Sequence, residues 1–161
     1  MAQGVDDRER RTRQFEHYLG LMEHRTLRLV KSDCFLVFSV PAPAAIRPRI
    51  GDSKTRIVQF AFMSSGFYLD LPDTSITPEE ARAAVQRPGF GYALNNPQKR
   101  LGERQHDPVQ RQYQYADQRV AAEDAAFVFF DLWHTPLDAW VKVQASAFEV
   151  SRRWEPGFAM G

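Results

Sequence analysis

Ala121-Ala-Glu-Asp-Ala-Ala-Phe-Val-Phe-Phe-Asp-Leu-Trp133 decides the fold. Ala122, Ala125, Ala126, Phe129, Leu132 and Trp133 recur at helical spacing and share one face. Phe127, Val128 and Phe130 add apolar surface on the flanks. A helix this apolar over most of its girth has to be covered on more than one side. The stretch therefore marks the centre of a globular domain, and it carries no catalytic motif.

The bulk composition agrees. A chain of 161 residues suits one domain with one core, and 43% hydrophobic content with 12 Phe can fill it. The formal net charge of +1 supplies no global field for nucleic acid or an anionic membrane. Arginine far outnumbers lysine, which occurs only at 31, 54, 99 and 142. Cys34 is the only cysteine, so no internal disulfide is expected. The first 14 residues are charged and lack an apolar stretch of the secretory type. No apolar run approaches the roughly 20 residues that span a bilayer, so a cytoplasmic protein is expected.

Outward from the central helix, residues 7–24 read as an amphipathic helix with Phe15, Tyr18, Leu19 and Met22 on one stripe, after a charged tail at about 1–8. Residues 26–31 and 34–40 read as strands joined by Lys31-Ser-Asp33. Three prolines make 41–51 an exposed loop. Residues 56–63 and 67–71 form a hairpin around Ser64-Ser-Gly66, with Val58, Phe60, Phe62, Phe67, Leu69 and Leu71 inward. Thr77-Pro-Glu-Glu80 is a capping box with Pro at the first helical position, and Pro88-Gly89 stops that helix. Residues 88–110 read as a long loop, 112–115 as a short strand, Asp117 as the cap of the central helix at 118–133, and 139–148 as the last strand. Val141 and Val143 would face one side of that strand, and Trp140, Lys142 and Gln144 the other. A C-terminal tail at about 150–161 includes Trp154. The expected fold is a single α+β domain: a largely antiparallel sheet packed against two or three helices, with the central helix buried.

The candidate chemistry is sparse. Asp131, His134 and Asp138 cluster where the central helix ends, and Asp131 could polarise His134 as a general base. A histidine favoured by the helix C-terminal dipole accounts for the same residues. His17 and His24 lie two helical turns apart, about 10 Å, too far for one metal ion without other ligands between them. Cys34 opens an apolar strand and reads as a small core hydrophobe. Gly89-Phe-Gly-Tyr92 lacks phosphate-loop spacing and reads as a turn with aromatic anchors, and His106 falls in the long loop.

Basic residues cluster at Arg47, Arg49, Lys54 and Arg56, and again at Lys99, Arg100, Arg104 and Arg111 near Tyr113 and Tyr115. Acidic residues gather at Asp117, Glu123, Asp124, Asp131 and Asp138. If this segregation persists in space, the surface is dipolar and suited to steering a protein partner. Trp140 is a binding anchor if exposed, and structural if a helix or the tail packs over it. The functional expectation is a protein-binding domain acting by surface occlusion, such as the immunity or antidote partner of a bacterial toxin or an accessory of a secretion apparatus. Its binding residues would be Arg47, Arg49, Tyr92, Lys99, Arg100 and Trp140. The reading assigns another protein as partner, no nucleic acid, no membrane, no cofactor and no metal. Two alternatives are an enzyme built from Asp70, Asp131 and His134, and a ligand cavity between sheet and central helix.

Overall fold

The computed structural model describes residues 2–29, 34–63, 65–93 and 107–145. Within them lie α1 (Ala2–Leu29), β1 (Cys34–Pro41), β2 (Thr55–Met63), β3 (Gly66–Leu71), α2 (Pro78–Ala84), β4 (Gly91–Tyr92), β5 (Val109–Tyr113), α3 (Gln118–Ala126) and β6 (Lys142–Ala145). The strands form one antiparallel sheet in the order β4-β5-β3-β2-β1-β6, with helices packed against it. This is the α+β architecture expected.

Alternation sorts the strands into two faces. Leu36, Phe38, Val58, Phe60, Phe62, Phe67, Leu69, Leu71, Val109 and Val143 are buried on the inner face. Val37, Gln59, Tyr68, Gln110, Lys142 and Gln144 lie on the outer face, half-buried or exposed. Register ties these rows together: Phe38 stands opposite Val58 and Val143, and Leu69 opposite Phe60. Aromatic rings fill the space between helices and sheet. Phe129 stacks on Phe15 at 5.5 Å, Phe15 meets Phe38 edge-on at 4.9 Å, and Phe38 meets Phe60 at 6.1 Å. The ligand cavity considered between central helix and sheet is occupied by these side chains.

Several segments depart from the sequence reading: the 41–51 stretch holds a 3-10 helix, Arg47–Ile50, with Ile50 buried, and β4 and the start of β5 fall within 88–110, read as a loop. α1 runs from residue 2 to 29, so residues 2–8 are helical rather than a tail, and 26–29 are helix rather than strand. The central helix changes pitch: Phe127–Leu132 is a π-helix, closed by bonds from Trp133 N to Val128 O (2.9 Å) and from Thr135 N to Phe129 O (2.8 Å). His134 then adopts a left-handed conformation with φ 56°. Asp117 does not cap α3. Its carboxylate accepts from Gln114 N at 3.2 Å and closes the 3-10 turn Tyr115–Asp117, which ends β5 at Tyr113 rather than Tyr115. The capping box of α2 forms as expected, with Glu80 N donating to Thr77 Oγ1 and Thr77 N to the Glu80 carboxylate. The 31–33 connection, Ser64, the last residues of the final strand and the tail with Trp154 lie outside the described residues.

Gly89 follows the end of α2 at φ +89°, where a Cβ would sit 2.7 Å from Arg111 Cζ and closer still to Nε. Left-handed backbone and steric overlap act together, so Gly89→Ala is expected to lower stability by about 1–3 kcal/mol. The midpoint of urea unfolding measures this.

Candidate functional site

Valines set the position of Trp140. Val141 and Val143 are buried on the inner face, so alternation turns Trp140 and Lys142 outward. The preceding turn is clamped from below by Arg11. Its guanidinium is buried and donates to the carbonyls of Leu137 (3.2 Å) and Ala139 (2.8 Å) while lying 5.6 Å from the Phe130 ring centroid. Burial lowers the Arg11 pKa to about 10.

β6 pairs with β1 only from Leu36 to Ser39. The ladder stops before Pro41, which has no N–H to donate. Where it stops, a groove of about 330 Å³ opens, lined by Ser39, Val40, Pro41, Thr55, Trp140, Val141 and Lys142. Trp140 is 55% exposed at this groove. It offers an aromatic ring, apolar walls, two hydroxyls and one ammonium, which suits a mixed apolar and polar surface.

The remaining binding candidates are dispersed. Arg47 donates through Nε to Ala42 O at 3.0 Å, and Arg49 grips Glu79 with contacts of 2.5 and 2.6 Å. Arg56, read as part of a surface cluster, is buried. It donates to Ser75 O and to Glu80, and lies 4.8 Å from the Trp133 ring centroid. Burial lowers its pKa, and Glu80 opposes that shift. Tyr92 is exposed on β4, at the opposite edge of the sheet from Trp140. Five strand spacings separate those edges, on the order of 24 Å. Lys99, Arg100, Arg104 and His106 lie outside the described residues.

The acidic stretch is also absorbed into the fold. Arg8 on α1 donates to both oxygens of Asp131 (2.7 and 2.8 Å), and Arg119 bonds Glu9 (2.8 and 2.5 Å) and Glu123 (3.2 Å). Asp124 is 1% exposed and receives Arg87 Nε (2.7 Å), Arg111 Nη1 (2.8 Å) and the Tyr113 hydroxyl (2.7 Å). Burial, followed by the Asp124 charge, raises the Tyr113 pKa above its ordinary value. Sequence reasoning placed Asp124 on an acidic surface. Its spacing from Ala121 and Val128, three before and four after, is the signal that places it on a buried face.

The Arg119 contact, with Arg13 adding to it, holds the half-buried Glu9 carboxyl down at about 2 from 4.5. A lowered carboxylate stabilises the fold above its unfolded value of 4.5, and that contribution disappears as pH falls through about 2. Thermal melts between these limits should therefore fall more steeply for the native chain than for Glu9→Gln.

The enzyme constellation does not assemble. Asp70 sits on the outer face of β3, accepting from Gln110 Nε2 at 2.8 Å, whereas Asp131 and His134 lie in the helix layer behind the sheet, with Asp131 held by Arg8. His17 and His24 are exposed, and no group of three or more metal-ligating side chains occurs among the described residues. Cys34 is buried. No helix among the described residues is long and apolar enough to cross a membrane. Comparison with protein-family models, curated proteins and solved structures finds no match to this chain.

Proposed function

We propose that this chain is a small protein-binding domain that acts by occluding a surface of its partner, with Trp140 as the anchor. The observation that carries the reading is the exposure of Trp140 at a groove, in a domain that buries most of its large apolar side chains. Exposed tryptophan is enriched among residues that dominate interface energetics. Among the described residues Lys142 is the one charged side chain lining the groove, so the favoured partner surface is apolar with hydrogen-bonding groups rather than strongly acidic. An immunity or antidote role against a bacterial toxin, or service to a secretion apparatus, are concrete forms of such a function. Either would operate in the cytoplasm.

A pull-down of tagged chain from native lysate tests this, with Trp140→Ala and Arg47→Glu/Arg49→Glu in parallel. A stoichiometric partner retained by the arginine variants and lost with Trp140→Ala supports the assignment. Loss only in the arginine variants moves the interface to the 41–55 loop. Absence of any stoichiometric partner overturns the reading.

A further inference from the structure

We propose a second, independent site: a receptor for a small zwitterion of the α-amino acid class, in the cleft between α1, α3 and the turn after α2. The cleft has a volume of about 360 Å³ and is lined by Arg8, Glu9, Thr12, Arg87, Arg119, Glu123 and Ala126. It lies on the helix side of the sheet, whereas Trp140 projects from the other face.

Arg87 is the anchor. Its Nε donates to the buried Asp124 at 2.7 Å, and its guanidinium lies 4.5 Å from the Phe127 ring centroid. One edge and one face of the group are thus fixed. Its Nη groups make no hydrogen bond among the described residues, and the side chain remains 32% exposed where it lines the cleft. A planar guanidinium held at Nε presents a preorganised fork for a carboxylate.

Charge selects the ligand further. At Asp124, the two guanidinium groups of Arg87 and Arg111 face one carboxylate, which leaves one positive charge. Across the cleft, Arg8 is offset by Asp131, and Arg119 and Arg13 face Glu9, Glu16 and Glu123, which leaves one negative charge. Among the described residues Glu123 is bound through the 3.2 Å contact from Arg119 Nε, and it keeps acceptor capacity. A ligand with a carboxylate on Arg87 and an ammonium toward Glu123 satisfies both walls. A phosphate dianion meets repulsion from Glu9 and Glu123, and a simple amine meets Arg87. Thr12 and Ala126 are small and leave room for a side chain.

Calorimetric titration of the full chain at low ionic strength, with the standard amino acids, acetate, methylammonium and inorganic phosphate as probes, tests the site. At least one amino acid should bind one-to-one and at least about tenfold tighter than acetate or methylammonium, because only the zwitterion engages both walls. Arg87→Gln and Glu123→Gln should each weaken that binding by about tenfold or more, as expected for loss of a charge-assisted contact. Circular dichroism confirms folding. Should Arg87→Gln unfold, Glu123→Gln at its exposed helical position carries the test alone. The proposal is overturned if acetate or phosphate binds as tightly as any amino acid, if no amino acid binds below about 10 mM, or if binding survives the folded variants.

Discussion

Asp124→Ala should destabilise the domain by about 3 kcal/mol, the low end of the range for breaking a buried ion pair. The carboxylate is 1% exposed and accepts three charge-assisted or buried hydrogen bonds. Its removal leaves two guanidinium groups and a buried phenol facing an apolar gap. Arg87 and Arg111 keep partial access to water, at 32% and 23% side-chain exposure, which places the effect at the low end. At this chain length the loss amounts to a fall of roughly 6–12 °C in Tm. Asp124→Asn keeps the shape and one acceptor and should fall between alanine and the native chain. Tyr113→Phe removes one hydrogen bond and should cost about 1 kcal/mol. Urea midpoints that shift in this order with an unchanged slope would establish the hub. Equal stability of Asp124→Ala and the native chain would remove it.

This hub connects distant pieces of sequence. Asp124 lies on α3, Arg111 and Tyr113 on β5, and Arg87 in the turn before β4. Arg87 and Arg111 also pack on Phe127, Phe90 and Tyr113, with ring centroids at 4.5, 6.0 and 5.3 Å. Gly89 has no side chain because Arg111 occupies the space. The short β4 strand and its turn are therefore held by side-chain electrostatics as well as by the sheet edge.

What the sequence disclosed was local. Alternation at Val58, Phe60, Phe62 and at Phe67, Leu69, Leu71 assigned the inner face correctly, and Thr77-Pro-Glu-Glu80 gave a helix start that the structure reproduces. Both signals involve neighbours along the chain. The 26–29 segment was misread because Leu27 and Leu29 fit a period of two, while Thr26 and Leu29 also continue the helical spacing from Met22. The burial of Arg56 and Arg11 was illegible for a different reason. Each is stabilised by groups far away in sequence, Ser75 and Glu80 for the first and the carbonyls at 137 and 139 for the second. A cluster of basic letters in a row carries no information about such partners. Of the proposed binding residues, Trp140 had its strand face legible through valine alternation, but not its exposure, which depends on whether a distant segment packs over it; among the described residues it is 55% exposed.

Trp140→Ala should reduce affinity for the partner by at least about 2 kcal/mol, or some 30-fold, while changing stability by less than about 0.5 kcal/mol. The two parts of this expectation have separate causes. A side chain that is 55% exposed contributes little packing to its own fold, so truncation leaves the core unchanged. On a partner, the same ring would become buried against Val40, Pro41 and the partner surface, and its full apolar area would then count. Tyr92→Ala is the matched control, since it removes another exposed aromatic at the far edge of the sheet and should leave affinity within about twofold if the interface centres on the groove. Lys142→Ala lies between them: a rim charge of this kind affects association rate and salt dependence more than affinity. A binding constant unchanged by Trp140→Ala but weakened by Tyr92→Ala would place the interface at the β4 edge, because the two aromatics are too far apart to share one compact anchor.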